Sequence, residues 1–333
     1  MSFEAPLLLL GLLVVPLAAT GYWLLRRRSA RYAVRSTKLQ VLAGVAGRRR
    51  SWLHHLPAAL LLACLATLAV AFARPTVTTK APNEKASVVL VVDVSGSMRA
   101  DDVKPSRLAA AKRAMRTFLE EAPESLRVGI VAFSDEPLVA VSPTLDREVL
   151  TRGIDLLGPG FGTAIGDALG RAVELARTAT AATGETGAAP TQVLKDEDGR
   201  ALASILLLSD GAQTRGILSP GQGAERAQIA GVPVFTIALG TDEGTIMAGP
   251  PGQEQLIPVP PDRETLAAIA EYTGAEAFDA ESAEALDGVY EGLGSRMGRV
   301  DRPREVTAVV VAAGAVLLTG AAGLALVGAP RLP

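Results

Sequence analysis

Cysteine and histidine are almost missing from this 333-residue chain: Cys64 is the one cysteine, and His54 and His55 are the two histidines. All three lie in or beside a single apolar stretch. The rest of the chain therefore has no disulfide, no Cys or His metal ligand, and no thiol or imidazole to serve as nucleophile or proton shuttle. Its stability must come from an ordinary core. Acidic residues are missing too from residues 26–50, where Arg26, Arg27, Arg28, Arg31, Arg35, Lys38, Arg48, Arg49 and Arg50 stand uncompensated.

What is abundant is apolar sequence, 49% of residues. Three stretches, Ala5–Leu25, Leu53–Ala73 and Val306–Ala329, each offer about the 20 residues needed to cross roughly 30 Å of hydrocarbon. No basic segment precedes the first, and three arginines follow it. It therefore reads as an uncleaved anchor rather than a signal peptide. By the positive-inside rule the basic loop, residues 29–52, is cytoplasmic. Counting crossings puts the N-terminus outside, residues 74–305 extracytoplasmic and the C-terminus inside. Arg296, Arg299, Arg302 and Arg304 oppose this at the third span, but Asp301 and Glu305 offset them and the nine uncompensated charges outweigh them. The expectation is a multi-pass plasma-membrane protein. His54 and His55 read as interfacial residues, the basic loop meets anionic headgroups, and no basic patch on a folded domain asks for nucleic acid.

Between the second and third spans, linkers over 74–86 and 294–305 flank a domain at 87–293. Its short β-branched runs alternate with helical patterns, which predicts an α/β, doubly wound, mostly parallel sheet. "SVVLVVDV" suits a central strand covered on both faces. "RVGIVAFS" and "PLVAVSP" are joined by "DE" as a hairpin, which supplies one antiparallel edge strand. "SILLLSD", "PVFTIALG" and "EAFDA" follow as further strands. The segment 179–200 lacks periodicity and reads as a mobile insertion. Residues 241–261 follow a strand and form either a partner-specificity loop or a hairpin covering the sheet edge.

In such sheets ligands bind beyond the carboxyl ends of the strands, where the strand order reverses. Three loops belong to that edge: "DVSGSM" (93–98), "GFGT" (160–163) and "LLLSDG" (206–211). They offer Asp93, Ser95, Ser97, Thr163 and Asp210, an all-oxygen set suited to Mg²⁺, with Mn²⁺ or Ca²⁺ as alternatives, rather than zinc or copper. The competing reading of "DVSGSM" is a turn with Gly96 at positive φ. Taken singly, Thr163 reads as a helix N-cap and "SDG" as a turn; their shared edge joins them to the first loop. Asp101 and Asp102 read as a solvated loop, and Asp167 as a first-turn carboxylate favoured by the helix dipole.

In this order and at these strand ends, the three motifs resemble the metal-ion-dependent adhesion site of von Willebrand factor A (VWA) domains, over residues 87 to about 293. "RADDVKPSRLAAAK", "TAIGDAL" and the membrane layout resemble bacterial BatA/BatB-type proteins, especially uncharacterised actinobacterial members. Relatives of that type are commonly encoded beside MoxR-type AAA+ ATPases. The resemblance implies that Ser95 and Ser97 bind the cation directly and that Thr163, Asp93 and Asp210 bind it directly or through water. A position then stays open for a partner's carboxylate.

The expected function is binding, not catalysis: a membrane-anchored VWA domain that uses its cation to hold a protein partner in a cell-envelope complex. Sister VWA membrane proteins and a MoxR-type ATPase are the implied associates. The alternatives are a scaffold assembling sister proteins around a purely structural cation and, further off, a metal-dependent hydrolase. Both membrane tethers are expected at the strand edge opposite the site, and ligand capture is expected to pull on the third span through the last helix.

Overall fold

The computed structural model describes residues 2–3, 5–29, 55–82, 86–181, 193–196, 199–248 and 255–328. The basic loop beyond Ser29, His54 and most of the 179–200 segment lie outside them. The chain divides into two units, residues 1–80 with 301–333, and residues 81–300.

In the first unit a 3-10 helix, Pro6–Leu13, runs into the α-helix Val14–Ser29, and two further helices span Leu56–Phe72 and Thr307–Gly328. The last two pack closely: a Cβ added at Gly314 would lie 3.0 Å from Thr67 Oγ1. Short strands at Ser2–Phe3, Pro75–Pro82 and Arg299–Glu305 form a three-stranded sheet, so both expected linkers contain a strand. Among the described residues, two helical segments, Pro6–Leu25 and Thr307–Leu326, are long and apolar enough to cross a membrane. Two of the three expected spans thus meet that test, and the middle one falls short of it. The helix within 53–73 has 17 residues, and at about 1.5 Å per residue it rises about 25 Å, less than the roughly 30 Å of a hydrocarbon core.

The second unit is the expected α/β domain. Its strands are β1 (Ser87–Asp93), β2 (Arg127–Phe133), β3 (Pro137–Thr144), β4 (Ala203–Ser209), β5 (Val234–Leu239), β6 (Thr245–Ala248), β7 (Gln255–Pro258) and β8 (Ala277–Ala280). Its helices are α1 (Arg107–Glu121), α2 (Arg147–Leu156), α3 (Ile165–Ala181), α4 (Pro220–Ala230), α5 (Arg263–Thr273) and α6 (Ala283–Arg296). Six strands form one sheet in the order β8-β5-β4-β1-β2-β3. All pairs are parallel except β2 with β3. β6 and β7 make a separate antiparallel hairpin.

Every residue of β1 is buried, because the strand alternates between two cores. Val88, Leu90 and Val92 pack with Phe118 of α1, Ile154 of α2 and Tyr290 of α6. Val89 and Val91 pack on the other face with Ile165 and Leu169 of α3, Ala227 of α4 and Ile269 of α5. This two-sided burial is why the run has no polar alternation. The 179–200 segment is shorter than expected at its ends: residues up to Ala181 are helical, and the Leu194 amide donates to the Ala230 carbonyl at 2.8 Å.

From β1 the chain moves to β2 and β3 on one side, then crosses to β4, β5 and β8 on the other. The switch point is therefore at the carboxyl end of β1. Ala86, Leu202, Met297 and Gly298 line a cavity of about 380 Å³ at the opposite, amino edge. The chain thus enters and leaves the domain together, at the edge away from the switch point.

One core group is out of keeping with its surroundings. Tyr290 is fully buried edge-on to Phe118, and its hydroxyl finds no hydrogen-bond partner among the described residues. Burial pushes its ionisation above the usual tyrosine range. Tyr290→Phe removes an unsatisfied group without changing the packing. Thermal unfolding should show it as stable as the parent or more stable, by about 1 kcal/mol; a loss of that size would mean the hydroxyl is paired.

Candidate metal centre

Asp93 closes β1 with its carboxylate fully buried. Its Oδ1 accepts from the Ser95 amide at 2.8 Å, and its Oδ2 accepts from the Ser209 hydroxyl at 2.5 Å. Ser209 ends β4, so this bond ties the two central strand ends together; its Oγ also accepts from the Gly211 amide at 3.0 Å. The Ser95 and Ser97 hydroxyls stand 2.8 Å apart. Gly96 opens a 3-10 turn, Gly96–Arg99, and does not take the positive φ that a simple reverse turn would need.

Asp210 follows β4 and is buried beside Asp93. The Ser97 hydroxyl opposes the rise of its carboxyl pKa, and Arg107 Nη1 lies 3.7 Å from its Oδ2. The backbone is pinned as well, since the Asp262 amide donates to the Asp210 carbonyl at 2.5 Å. Gly211 follows at φ +81°, where a Cβ would sit 2.5 Å from the Asp262 carbonyl oxygen. Only glycine fits both that φ and that approach.

Thr163 is buried and its backbone is locked between neighbouring loops. Its amide donates to Thr214 Oγ1 at 3.0 Å, and its carbonyl accepts from the Thr214 and Arg215 amides, each at 3.0 Å. Three residues earlier the Gly160 amide donates to the Val94 carbonyl at 2.5 Å. The loops carrying Asp93, Thr163 and Asp210 are thus joined by backbone bonds, and the structure brings all five expected residues to one edge. Arg99 stacks over exposed Phe161, its guanidinium carbon 5.7 Å from the ring centroid, at the rim.

Burial pushes the Asp93 carboxyl up, the charge of Asp210 adds to it, and the bonds from Ser209 and Ser95 only partly offset this, leaving it at about 7. Asp210 is likewise raised, first by burial, against the opposing pull of the Ser97 bond and Arg107. Two carboxylates withdrawn from water side by side, with neutral hydroxyls between them, resist ionising together. A small hard cation would relieve both burdens, and the all-oxygen donor set fits one. Among the described residues no three His, Cys, Asp or Glu side chains are placed to hold a metal ion by themselves, so any cation here relies on Ser and Thr oxygens as well.

Several supporting residues were not foreseen. Asp101 is exposed and pairs with Lys104, as a solvated residue would. Asp102 is not freely solvated: it is half-buried and paired with Arg107. Burial pushes its carboxyl up, but hydrogen bonds from Arg107 and the Thr241 amide outweigh burial and hold it at about 2. Arg107 sits directly after the N-cap of α1, where the helix dipole disfavours a cation; that mismatch was the available signal of a tertiary partner. Asp167 does more than suit a dipole, since its two oxygens accept from the Ile217 and Leu218 amides at 2.7 and 3.0 Å. Gln213 accepts from the Gly166 amide at 3.0 Å and donates to the Leu218 carbonyl at 2.9 Å. Together they staple the loop after Asp210 to the start of α3.

That staple leaves no room at Gly166, where a Cβ would lie 2.2 Å from the Leu218 carbonyl oxygen. Gly166→Ala should lower stability by about 1–3 kcal/mol through forced backbone movement, and should open residues 211–218 to amide exchange. Unchanged exchange there would show that the staple does not hold the loop.

Known proteins agree with this architecture. Residues 88–213 match the family model described as von Willebrand factor type A domain, and residues 1–75 match the one described as Aerotolerance regulator N-terminal. A UPF0353 protein of Mycolicibacterium paratuberculosis is 34% identical over 100% of this chain and 96% of its own length. One from Nocardia farcinica is 37% identical over 89% of each. Among solved structures, BatB from Bacteroides thetaiotaomicron is similar with a TM-score of 0.50 and 20% identity, over 62% of this chain and 97% of that one. An aerotolerance-related membrane protein from Bacteroides fragilis is similar with a TM-score of 0.50 and 19% identity, over 64% of this chain and 100% of that one.

Proposed function

Because the chain belongs to the UPF0353 family and joins a VWA domain to a BatA-type N-terminal region, we propose that it is a membrane-anchored binding protein. Its VWA domain holds a divalent cation at the β1/β4 switch point and captures a protein partner through an Asp or Glu side chain. The observation that carries this reading is the convergence of Asp93, Ser95, Ser97 and Asp210 at one buried strand edge.

Ser95, Ser97, Thr163, Asp93 and Asp210 would hold the cation, Mg²⁺ first and Mn²⁺ or Ca²⁺ as alternatives. When bound, the cation supplies a Lewis-acidic position that accepts a carboxylate oxygen. Both Asp93 oxygens are already engaged, one by the Ser95 amide and one by the Ser209 hydroxyl. Asp93 is therefore suited to shaping the loop and acting through water, while the paired Ser95 and Ser97 hydroxyls act directly. Neutral hydroxyl ligands leave the cation electrophilic, which favours an anionic partner group. Exposed Phe161 and Arg99 on the rim add apolar and cationic contact around that group.

The partner is a protein of the cell envelope offering an acidic side chain, and sister VWA membrane proteins are the natural candidates. We place the domain on the extracytoplasmic side and the basic loop in the cytoplasm, with the Leu56–Phe72 helix as a short additional span. Binding rather than hydrolysis suits residues 87–293, which contain no His or Cys to relay a proton.

Two measurements on the full chain in detergent test this reading. Mg²⁺ at about 100 times its Kd should stabilise the protein by about 2.7 kcal/mol, and Asp93→Ala and Ser97→Ala should abolish the shift. Cross-linking from membranes should capture a partner in Mg²⁺ and lose it in EDTA and in folded Asp93→Ala. Capture that persists without the cation would make the site structural, in favour of a scaffold that assembles sister proteins. A protein that Mg²⁺, Mn²⁺ and Ca²⁺ all fail to stabilise would overturn the cation site itself.

A further inference from the structure

Cation binding would explain why Asp93 and Asp210 are buried together, but it leaves unexplained the largest fully buried side chain among the described residues, Arg107, which is 0% exposed. Its guanidinium is held as a fork. Nε donates to Asp102 Oδ1 at 2.9 Å, and Nη2 donates to Asp102 Oδ2 at 2.7 Å and to the Val259 carbonyl at 3.0 Å. Nη1 is different: it has no hydrogen-bond partner among the described residues and stands 3.7 Å from Asp210 Oδ2. That is near enough for strong attraction in a buried setting and too far for a hydrogen bond.

The surroundings allow the guanidinium little freedom. Cβ atoms at Gly240 and Gly244 would fall 2.3 and 2.2 Å from it, so two glycines form its walls. Asp102 is fixed in turn by the Thr241 amide at 2.8 Å and the Thr241 hydroxyl at 3.2 Å. The Asp102–Arg107 pair therefore grips Thr241 and Val259, the two ends of the segment that carries the β6–β7 hairpin.

The charges have a simple sum. Asp93, Asp102 and Asp210, when ionised, set three negative charges against the single positive charge of Arg107. The cluster is short by the charge of one divalent cation. Were Arg107 free to close on Asp210 it would satisfy its Nη1 and compete with a cation for that carboxylate. The two bonds to Asp102 hold it back.

Resting on the cation-binding reading above, we propose that Arg107 is a positioning residue of the cation site. Restrained by Asp102, it leaves Asp210 available and sets the buried charge at the value that one divalent ion cancels. Asp102 thereby governs cation affinity although it is not itself a ligand.

Two substitutions with opposite expected signs test this, with Mg²⁺ alone titrated calorimetrically into the full chain in detergent and the cation-free melting temperature recorded for each variant. Asp102→Asn keeps the shape but releases Arg107 toward Asp210, and should weaken Mg²⁺ on the order of tenfold. Arg107→Gln removes the competing charge and should tighten Mg²⁺ despite a lower melting temperature. The double variant restores the charge sum and should return the affinity to within about threefold of the parent. If Arg107→Gln does not fold, the step from Asp102→Asn to the double variant decides: recovery supports the proposal and further weakening overturns it. Weakening by both single variants would make the pair a merely structural brace and overturn it too. A parent chain that binds none of Mg²⁺, Mn²⁺ and Ca²⁺ would instead fail the cation reading and this proposal with it, a result visible before any variant is made; if only Mn²⁺ or Ca²⁺ binds, that ion replaces Mg²⁺ in the titrations.

Discussion

Two carboxylates buried side by side at a strand edge dominate this molecule. Asp93 and Asp210 sit where water cannot solvate them, and the hydroxyls around them carry no charge. A globular core gains nothing from such a pair, because like charges withdrawn from water oppose each other's ionisation. Protonating one carboxyl relieves this, and so does bringing in positive charge. One part is built in as Arg107, held by Asp102, and the remainder matches a divalent cation.

The rest of the domain serves to keep that edge rigid. β1 and β4 run parallel and adjacent, so their carboxyl ends come level, and the Ser209 hydroxyl links them through Asp93. Gly160 binds the Thr163 loop to Val94, while Asp167 and Gln213 hold the loop after Asp210 against α3. Apart from the Ser209 bond, each tie engages a backbone group of a neighbouring loop. The side chains proposed to hold the cation thus inherit their positions from hydrogen bonds already present in the fold.

Much of this was legible in one dimension. β1 has no polar alternation because both its faces are covered, and that pattern marked it as the central strand. An acidic residue at the end of such a strand costs too much to be incidental, so Asp93 and Asp210 declared themselves. Other features were hidden for identifiable reasons. Asp101 and Asp102 are adjacent and chemically equal, yet one pairs with Lys104 at the surface and the other is half-buried on Arg107. Only the path of the loop separates them. Ser209 reads as the polar end of a strand, and its partner lies 116 residues away. The Leu53–Ala73 stretch shows how composition overreaches: it is predominantly apolar, but its described helix covers Leu56–Phe72.

Local pattern by itself determined the α/β class and the apolar helices flanking the domain, and it brought five oxygen-bearing residues forward as candidates, because periodicity and strand-end chemistry depend on neighbours along the chain. Tertiary structure alone decided which carboxylate receives Arg107, which side chains fasten the loops, and that the segment between Thr241 and Val259 is gripped by the Asp102–Arg107 pair. Those outcomes depend on distances between residues far apart in sequence and on the low dielectric that burial creates. Neither is written in the spacing of a motif.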